Sequence, residues 1–473
     1  MTSRQNLRAV AVAAACVVLP VASFAQIRPS LPPDSPFGGG VPQGVTTPEA
    51  LPLSIAEVIK RALDRNLGVL LAEEGAGDAA GARAVALSDL LPHVSGSVSE
   101  ARRKINLEAF GFPLQSQFQI PPLVGPFNVF DARVFLSQAV LDLSALNEFR
   151  AAKHSLSAAQ HSFQSARDLV VLVAANLYLQ TLATGARADT ARAQLETATT
   201  LYRQAVSLRE GGLVAGIDVV RAEVRQSTER QRVTAATNEY EKSKLQLARV
   251  IGLPVGQTFT LSQELPFVPV PEITLEEALA RAYRDRPDYL AALERVQAAE
   301  ASRQAIRGEG LPSIKVTADY GTIGLQVKSA LPTFNVLGAV EVPIFEGGRV
   351  QGRLAQADAE LRSRRAEADD ARAEIYYDVR TAFLDLKATE EELQTATRAR
   401  ELADLQLTQS RDRFAAGVTS NIEVVQSQEA VAQASEQYIA ALYGFNVAKA
   451  MLARSLGTAE EAVAKYLGGS VIK

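Results

Sequence analysis

Two stretches of the chain, 205 positions apart, carry almost the same text. Residues 210–226 read EGGLVAGIDVVRAEVRQ and residues 415–431 read AAGVTSNIEVVQSQEAV. Gly212 matches Gly417, Ile217 matches Ile422, Asp218 matches Glu423, and Val219-Val220 matches Val424-Val425. Each stretch is a glycine-interrupted turn between two long alanine-rich runs. A duplication of this size makes each half a structural unit and restricts the chain to folds built from two similar parts.

The match extends well beyond the turns. Leu53-Ser54-Ile55-Ala56-Glu57 lines up with Ile273-Thr274-Leu275-Glu276-Glu277. Both carry the Ser/Thr-x-x-Glu box, in which hydroxyl and carboxylate satisfy helix-start amides reciprocally. Leu91-Pro92 and Leu311-Pro312 then stop a helix where apolar alternation begins. Each unit reads helix, strand, strand, helix, turn, helix. The expected division is a first repeat over 53–260, a linker over 261–272, a second repeat over 273–458 and a tail over 459–473.

Proline placement sets the scale of the helices. None lies between Pro126 and Pro254, and none follows Pro343. These tracts are rich in Ala, Leu, Glu, Gln and Arg, which favour helix. The spans 144–208 and 348–414 each predict one helix of roughly 65 residues, about 100 Å at 1.5 Å per residue. Val424, Val431, Tyr438, Phe445 and Leu452 recur at seven-residue spacing, as do Val219, Gln226, Val233, Tyr240 and Leu247. A sustained heptad implies coiled-coil packing in a left-handed supercoil.

The N-terminus reads as an export signal over 1–25: Arg4 and Arg8, an apolar core, then Ser23-Phe24-Ala25. Cys16, the single cysteine, falls inside it, so the exported chain is expected to lack disulfides. Lipidation of Cys16 is the alternative, on a poor lipidation context. Residues 26–52, rich in Pro and Gly, predict an extended arm. The net charge of −4 becomes −6 when two arginines leave with the signal. Both signs are interspersed, so nothing points to a nucleic-acid surface and no nucleic-acid partner is expected. No later segment holds about 18 unbroken apolar residues, so no helical membrane span is expected.

Four strands complete the pattern. Ile314, Val316, Ala318 and Tyr320 alternate with polar neighbours, and Val336, Gly338, Val340, Val342 and Ile344 form a second apolar face. Residues 94–100 and 129–141 take the same places in the first half, with loops expected over 102–125 and 321–333. An exported chain with such strands points to a membrane barrel. A lipid-embedded barrel must close, usually with eight or more strands. Four cannot close alone, so several copies must share one barrel, with the long helices continuing it as a tube.

These residues resemble the TolC-like outer-membrane efflux family. The resemblance rests on the Leu-Pro strand starts, the stretch Val342-Pro343-Ile344-Phe345-Glu346-Gly347-Gly348-Arg349, Arg413-Phe414-Ala415-Ala416-Gly417, and Ile422-Glu423-Val424-Val425, over 53–456. It implies a mainly α fold in which duplicated helical hairpins form an α-helical barrel, with four strands per chain in a trimeric 12-stranded outer-membrane β-barrel. It further implies an exit duct of a tripartite efflux pump or type I secretion system. The implied partners are a homotrimer, a periplasmic membrane-fusion adaptor, an inner-membrane pump and outer-membrane lipid. The turns become periplasmic tips, with Gly212, Leu213, Val214, Ala215, Gly417, Val418, Thr419 and Ser420 facing the adaptor. Glu423 and Asp218 fall at the tunnel entrance, where three copies of each would make an acidic ring. Gln426 and Thr419 depart from the family's second acid and basic latch, so a different latch is expected. Both acids also suit the first turn of a helix, where a carboxylate complements the dipole.

An enzyme finds no support in the residues. There are three histidines, no cysteine outside the signal, and no nucleophile elbow, phosphate loop or metal-spaced cluster. No catalytic residue, cofactor or metal is expected. His154 and His161, seven apart, read as seam or surface residues, His93 as structural and Glu309 as part of a helix end. The remaining alternative is a periplasmic coiled-coil scaffold or adaptor without a channel, which would normally carry one hairpin rather than two.

Overall fold

The computed structural model describes residues 35–110, 121–212, 214–268, 273–416, 418 and 421–467. The expected signal over 1–25 lies outside them, as do the tip residues Leu213, Gly417, Thr419 and Ser420.

The chain runs β1 (Leu51–Leu53), α1 (Ile55–Arg65), α2 (Leu67–Ser88), β2 (His93–Asn106), β3 (Leu123–Leu141), α3 (Leu143–Glu210) and α4 (Gly216–Val250). It continues with β4 (Phe259–Leu261), α5 (Leu275–Asp285), α6 (Pro287–Glu309), β5 (Ser313–Gly324), β6 (Leu331–Glu341), α7 (Arg349–Ala415), α8 (Asn421–Ser455) and α9 (Ala459–Tyr466). The two capping boxes form as expected at Ser54–Glu57 and Thr274–Glu277. α3 and α7 run unbroken for 68 and 67 residues. Asp142 starts α3 by accepting the Ala145 amide at 2.9 Å.

Several details differ from the sequence reading. The opening helix of each repeat is broken in two. Buried Asn66 turns extended after α1 and caps α2 through Gly68 at 2.9 Å. Pro287 begins α6 and holds Arg286 extended before it. The strands run further into the expected loops, to Asn106 and from Leu123, and to Gly324 and from Leu331. β6 stops at Glu341, short of Val342 and Ile344. Residues 459–466 of the expected tail are a docked helix, and the arm is tied down by β1, which pairs in parallel with β4.

β2, β3, β5 and β6 form one antiparallel sheet in that order, leaving β2 and β6 as edges. Strand pairing sets Val94 opposite Leu136, Val134 opposite Tyr320, and Tyr320 opposite Phe334, all on one exposed apolar face with Val98 and Val336. The other face carries Ser95, Ser97, Asp131, Arg133, Asp319 and Thr333. There Arg133 bridges Asp319 and, at 3.2 Å, Asp131. Gly321 makes room for it: a Cβ at Gly321 would lie 2.6 Å from the Arg133 Cα.

Below the sheet, helix neighbours follow the order α2–α3–α6–α7, and lower down α4–α3–α8–α7. Between these levels sits the main core. Leu53, Ile55, Val58 and Ile59 pack with Leu172, Tyr178, Leu179, Leu247 and Ile251, and with Val463 and Leu467 from the C-terminal end. α9 is held at both ends. Arg167 grips Glu460 through two bonds of 3.0 and 2.6 Å, and fully buried Lys449 donates to the Tyr466 carbonyl at 2.9 Å. α3 also contains an 18-residue window apolar enough to cross a bilayer; 67% of it is buried within the fold, which marks a core helix.

Candidate functional site at the hairpin tips

The first tip is shaped by Gly212, whose φ of +74° suits glycine and turns the chain between α3 and α4. Ala215 precedes α4 with extended backbone, and Val214 lies beside it in the same short turn. In the second tip Ala416 follows α7, and the Val418 amide donates to the Arg413 carbonyl at 2.9 Å.

Asp218 and Glu423 stand in the first turns of α4 and α8, as the repeat requires. Neither carboxylate stands alone. Asp218 pairs with Arg221 at 3.4 Å, one turn on. Glu423 pairs with Arg413 at 3.2 Å, across the hairpin from the last turn of α7. Behind it, Ser410 and Ser427 share a buried hydrogen bond of 2.8 Å. Each acid is thus compensated within its own hairpin, at the positive end of a helix. Gln426, Ile422 and Val425 line an open groove with Val220, Arg221, Val224, Arg225 and Thr228, between α8 and α4.

About one turn further from the tips lies a cluster that sequence reasoning missed. Arg225 binds Glu229 at 2.9 Å and also Glu429; Arg232 binds Glu229 at 3.1 Å and Glu429 at 3.2 Å. The four side chains tie α4 of the first repeat to α8 of the second. Glu229 is only 1% exposed. Burial pushes the Glu429 carboxyl up, but the hydrogen bonds and charges of Arg225 and Arg232 outweigh it and hold it below the usual range. Arg225, Glu229 and Arg232 at three- and four-residue spacing were a visible helix-surface signal. Nothing local pointed to Glu429, which lies 204 positions from Arg225 in the chain.

The other singled-out residues fall elsewhere. His154 bonds Glu294 at 2.7 Å between α3 and α6. Glu309 receives Arg349 at 2.7 Å and also Arg353, fastening α6 to the start of α7. Among the described residues no group of His, Cys, Asp and Glu could hold a metal.

Known proteins share this architecture. The chain is 25% identical over 371 residues to the pyoverdine export outer membrane protein OpmQ of Pseudomonas putida, covering 75% of this chain and 76% of that protein. It is 22% identical to outer membrane protein TolC of Escherichia coli, over 71% and 70% of the two chains. The CmeC outer membrane channel of Campylobacter jejuni superposes with a TM-score of 0.73 at 17% identity, covering 86% of each chain. CusC matches at 0.71 and 18% identity, covering 90% of this chain and 98% of the other. These relatives are channel and efflux proteins, not enzymes. The model of the family described as outer membrane efflux protein matches residues 58–253 and 277–458. The chain therefore belongs to the outer membrane efflux protein family and resides in the outer membrane, with its helices reaching into the periplasm.

Proposed function

We propose that three copies close into one continuous duct that carries substrates from a periplasmic adaptor and inner-membrane pump through the outer membrane. The observation that carries this reading is an agreement between levels. In the sheet the open edges are β2 and β6, and beneath it they are α2 and α7. At both levels a first-repeat element is open on one side and a second-repeat element on the other, while nearer the tips α4 turns to α8 of its own chain. Head-to-tail association therefore joins both levels at once, and a rotation that closes yields a ring. Three copies supply twelve strands, enough for a closed barrel with its apolar face to lipid and its polar face to the lumen.

At the far end the tips form the entrance. Gly212, Leu213, Val214 and Ala215, with Gly417, Val418, Thr419 and Ser420, present the surface for the adaptor. Asp218 and Glu423 supply three carboxylates each around the axis. Because each is paired with an arginine of its own hairpin, the ring is one of ion pairs rather than bare acids. The α4–α8 cluster of Arg225, Glu229, Arg232 and Glu429 takes the bracing role left open by Thr419 and Gln426.

Single-channel conductance of the purified chain in a planar bilayer tests the reading. Discrete cation-preferring steps are expected, and a stably inserted trimer with no conductance before or after Glu429→Gln would refute the duct. Glu423→Ala is expected to weaken block by multivalent cations; unchanged block would remove Glu423 from the entrance.

A further inference from the structure

β2 and β3 run past the rest of the sheet. β3 leaves β5 at Phe130, opposite Gly324, and the β5–β6 pair ends at Ile323 and Leu331. β2 and β3 stay paired beyond that level, through Arg103 opposite Phe127 and on to Asn106 opposite Leu123. A two-stranded ribbon, 101–106 with 123–129, therefore stands clear of the sheet. α2 leads into β2 and α3 leaves β3 at the other end, so the ribbon points away from the periplasmic helices.

The ribbon is basic. Arg102, Arg103 and Lys104 follow one another along β2, and all three are exposed. Among the described residues no ion pair engages any of them, whereas Arg133 lower in the sheet holds two acids. Alternation puts Arg102 and Lys104 on the face of Val94 and Val98, and Arg103 on the face of Ser95 and Ser97. The register shift between Arg103 and Ile105 keeps this order, because the extra residue belongs to β3. Gly125, at φ +106°, lets the strands approach there; a Cβ would lie 2.6 Å from the Arg103 carbonyl oxygen. Glu100, one step below Arg102 on the same face, is engaged by the Asn128 side-chain amide at 3.4 Å. The turn between β5 and β6, 325–330, adds Lys328 and no acid.

Below these cations the same face is apolar over nearly the height of a bilayer. Along β6 it runs from Val340 to Pro332, which is ~20 Å once the strand is tilted, close to the ~25 Å band of an outer-membrane barrel. Tyr320 opposite Phe334, and Phe130 above them, place aromatic rings in its upper part. Arg102 and Lys104 come next, at the height where lipid headgroups begin.

On the basis of the lipid-facing barrel described under the proposed function, we propose that Arg102 and Lys104 bind the phosphate groups of glycolipid in the outer leaflet. Arginine grips phosphate through charge-assisted hydrogen bonds and lysine acts as a point charge. The acyl chains of the same lipid lie against the apolar face below. Each cation near an anionic membrane surface strengthens attachment by a factor of about five. Arg103, on the other face, looks over the barrel mouth and takes no part.

Binding of lipopolysaccharide to the purified full chain in neutral detergent tests the site, while light scattering counts the copies. The probes are lipopolysaccharide with its phosphates and the same lipid after dephosphorylation. Arg102→Ser combined with Lys104→Ser should weaken binding of the phosphorylated lipid about 25-fold at low salt. Arg103→Ser should leave it unchanged, and the dephosphorylated lipid should bind all three proteins equally weakly. An intact trimer that keeps its affinity in the double variant, loses as much in Arg103→Ser, or does not distinguish the two lipids would overturn the site while leaving the duct. A chain that stays monomeric and does not insert into vesicles would overturn both.

Discussion

In the main core, a belt between the upper and lower helix levels, Leu53, Ile55, Val58 and Ile59 close against Leu172, Leu179 and Leu247 until almost none of their surface is left. On the sheet, Val98, Phe334 and Val336 stay exposed although they are as apolar and as regularly spaced. The belt gathers elements from both ends of the chain: β1, α1, α3, α4, α8 and α9 all contribute. Among the described residues the sheet has one layer and nothing covers its apolar face. One region is completed by its own chain, and the other, in the trimer proposed above, by lipid and further copies. Similar side chains thus drive folding in the first region and insertion and assembly in the second.

The largest expected difference comes from deleting side-chain volume in the belt. Leu179→Ala should cost about 2–5 kcal/mol, because a fully buried leucine leaves a cavity. Urea unfolding in detergent measures this. Val336→Ala on the sheet should change that value by less than about 0.5 kcal/mol, as an exposed position does. Equal costs would erase the contrast between the regions.

A charge inverts the sensitivity. Val336→Arg places a guanidinium on the face assigned to lipid and should cost about 2–4 kcal/mol of insertion at mid-bilayer depth. Asn335→Arg, on the polar face, should insert normally. The amount recovered in outer membranes distinguishes them, and equal loss would refute the assignment of faces.

Acidity probes the belt alone. Burial raises the Asp168 carboxyl to about 6, opposed by its bond to the Glu460 amide; Glu460 and Asp288 raise it further and Arg454 lowers it. The folded value lies above the unfolded one, so the fold holds this proton more tightly. Asp168 therefore adds stability as pH falls through 6 toward 4 and costs up to about 3 kcal/mol above 6. Asp168→Asn should raise the melting temperature at pH 7.5 and narrow its difference from the unmodified chain below pH 5. A constant difference across that range would show that Asp168 does not titrate there.

A small effect is expected at the tips. Glu429→Gln removes one charge from a partly exposed cluster and should cost about 1 kcal/mol or less overall. It should still speed hydrogen exchange along α4 and α8 near Arg225. Unchanged exchange would mean the cluster does not brace the hairpins.

Much of this was legible in the sequence because it depends on spacing. The capping boxes, the lengths of α3 and α7, the alternating strands and the duplicated tips follow from periodicity and from where proline and glycine stand. The breaks at Asn66 and Pro287 were legible too, since each carries a helix-start signal and the strongly one-sided pattern of α1 and α5 does not continue into α2 and α6. The departures from the expected ends of the strands reflect hydrogen-bond partners that no local pattern records.

What the sequence determined by itself was a doubled, exported chain of long helices and four strands, because repeats and periodicities are properties of neighbours along the chain. Only the tertiary structure decided that α9 returns to the first repeat's core, that Glu429 meets Arg225 and Arg232, and that Asp218 and Glu423 each have an arginine. It also decided the order of neighbours that leaves the same two sides open in the sheet and in the helices beneath it. Those facts join residues up to some 400 positions apart, as when Val463 packs with Ile55. Such pairings arise from the packing of whole elements, and no local spacing encodes them.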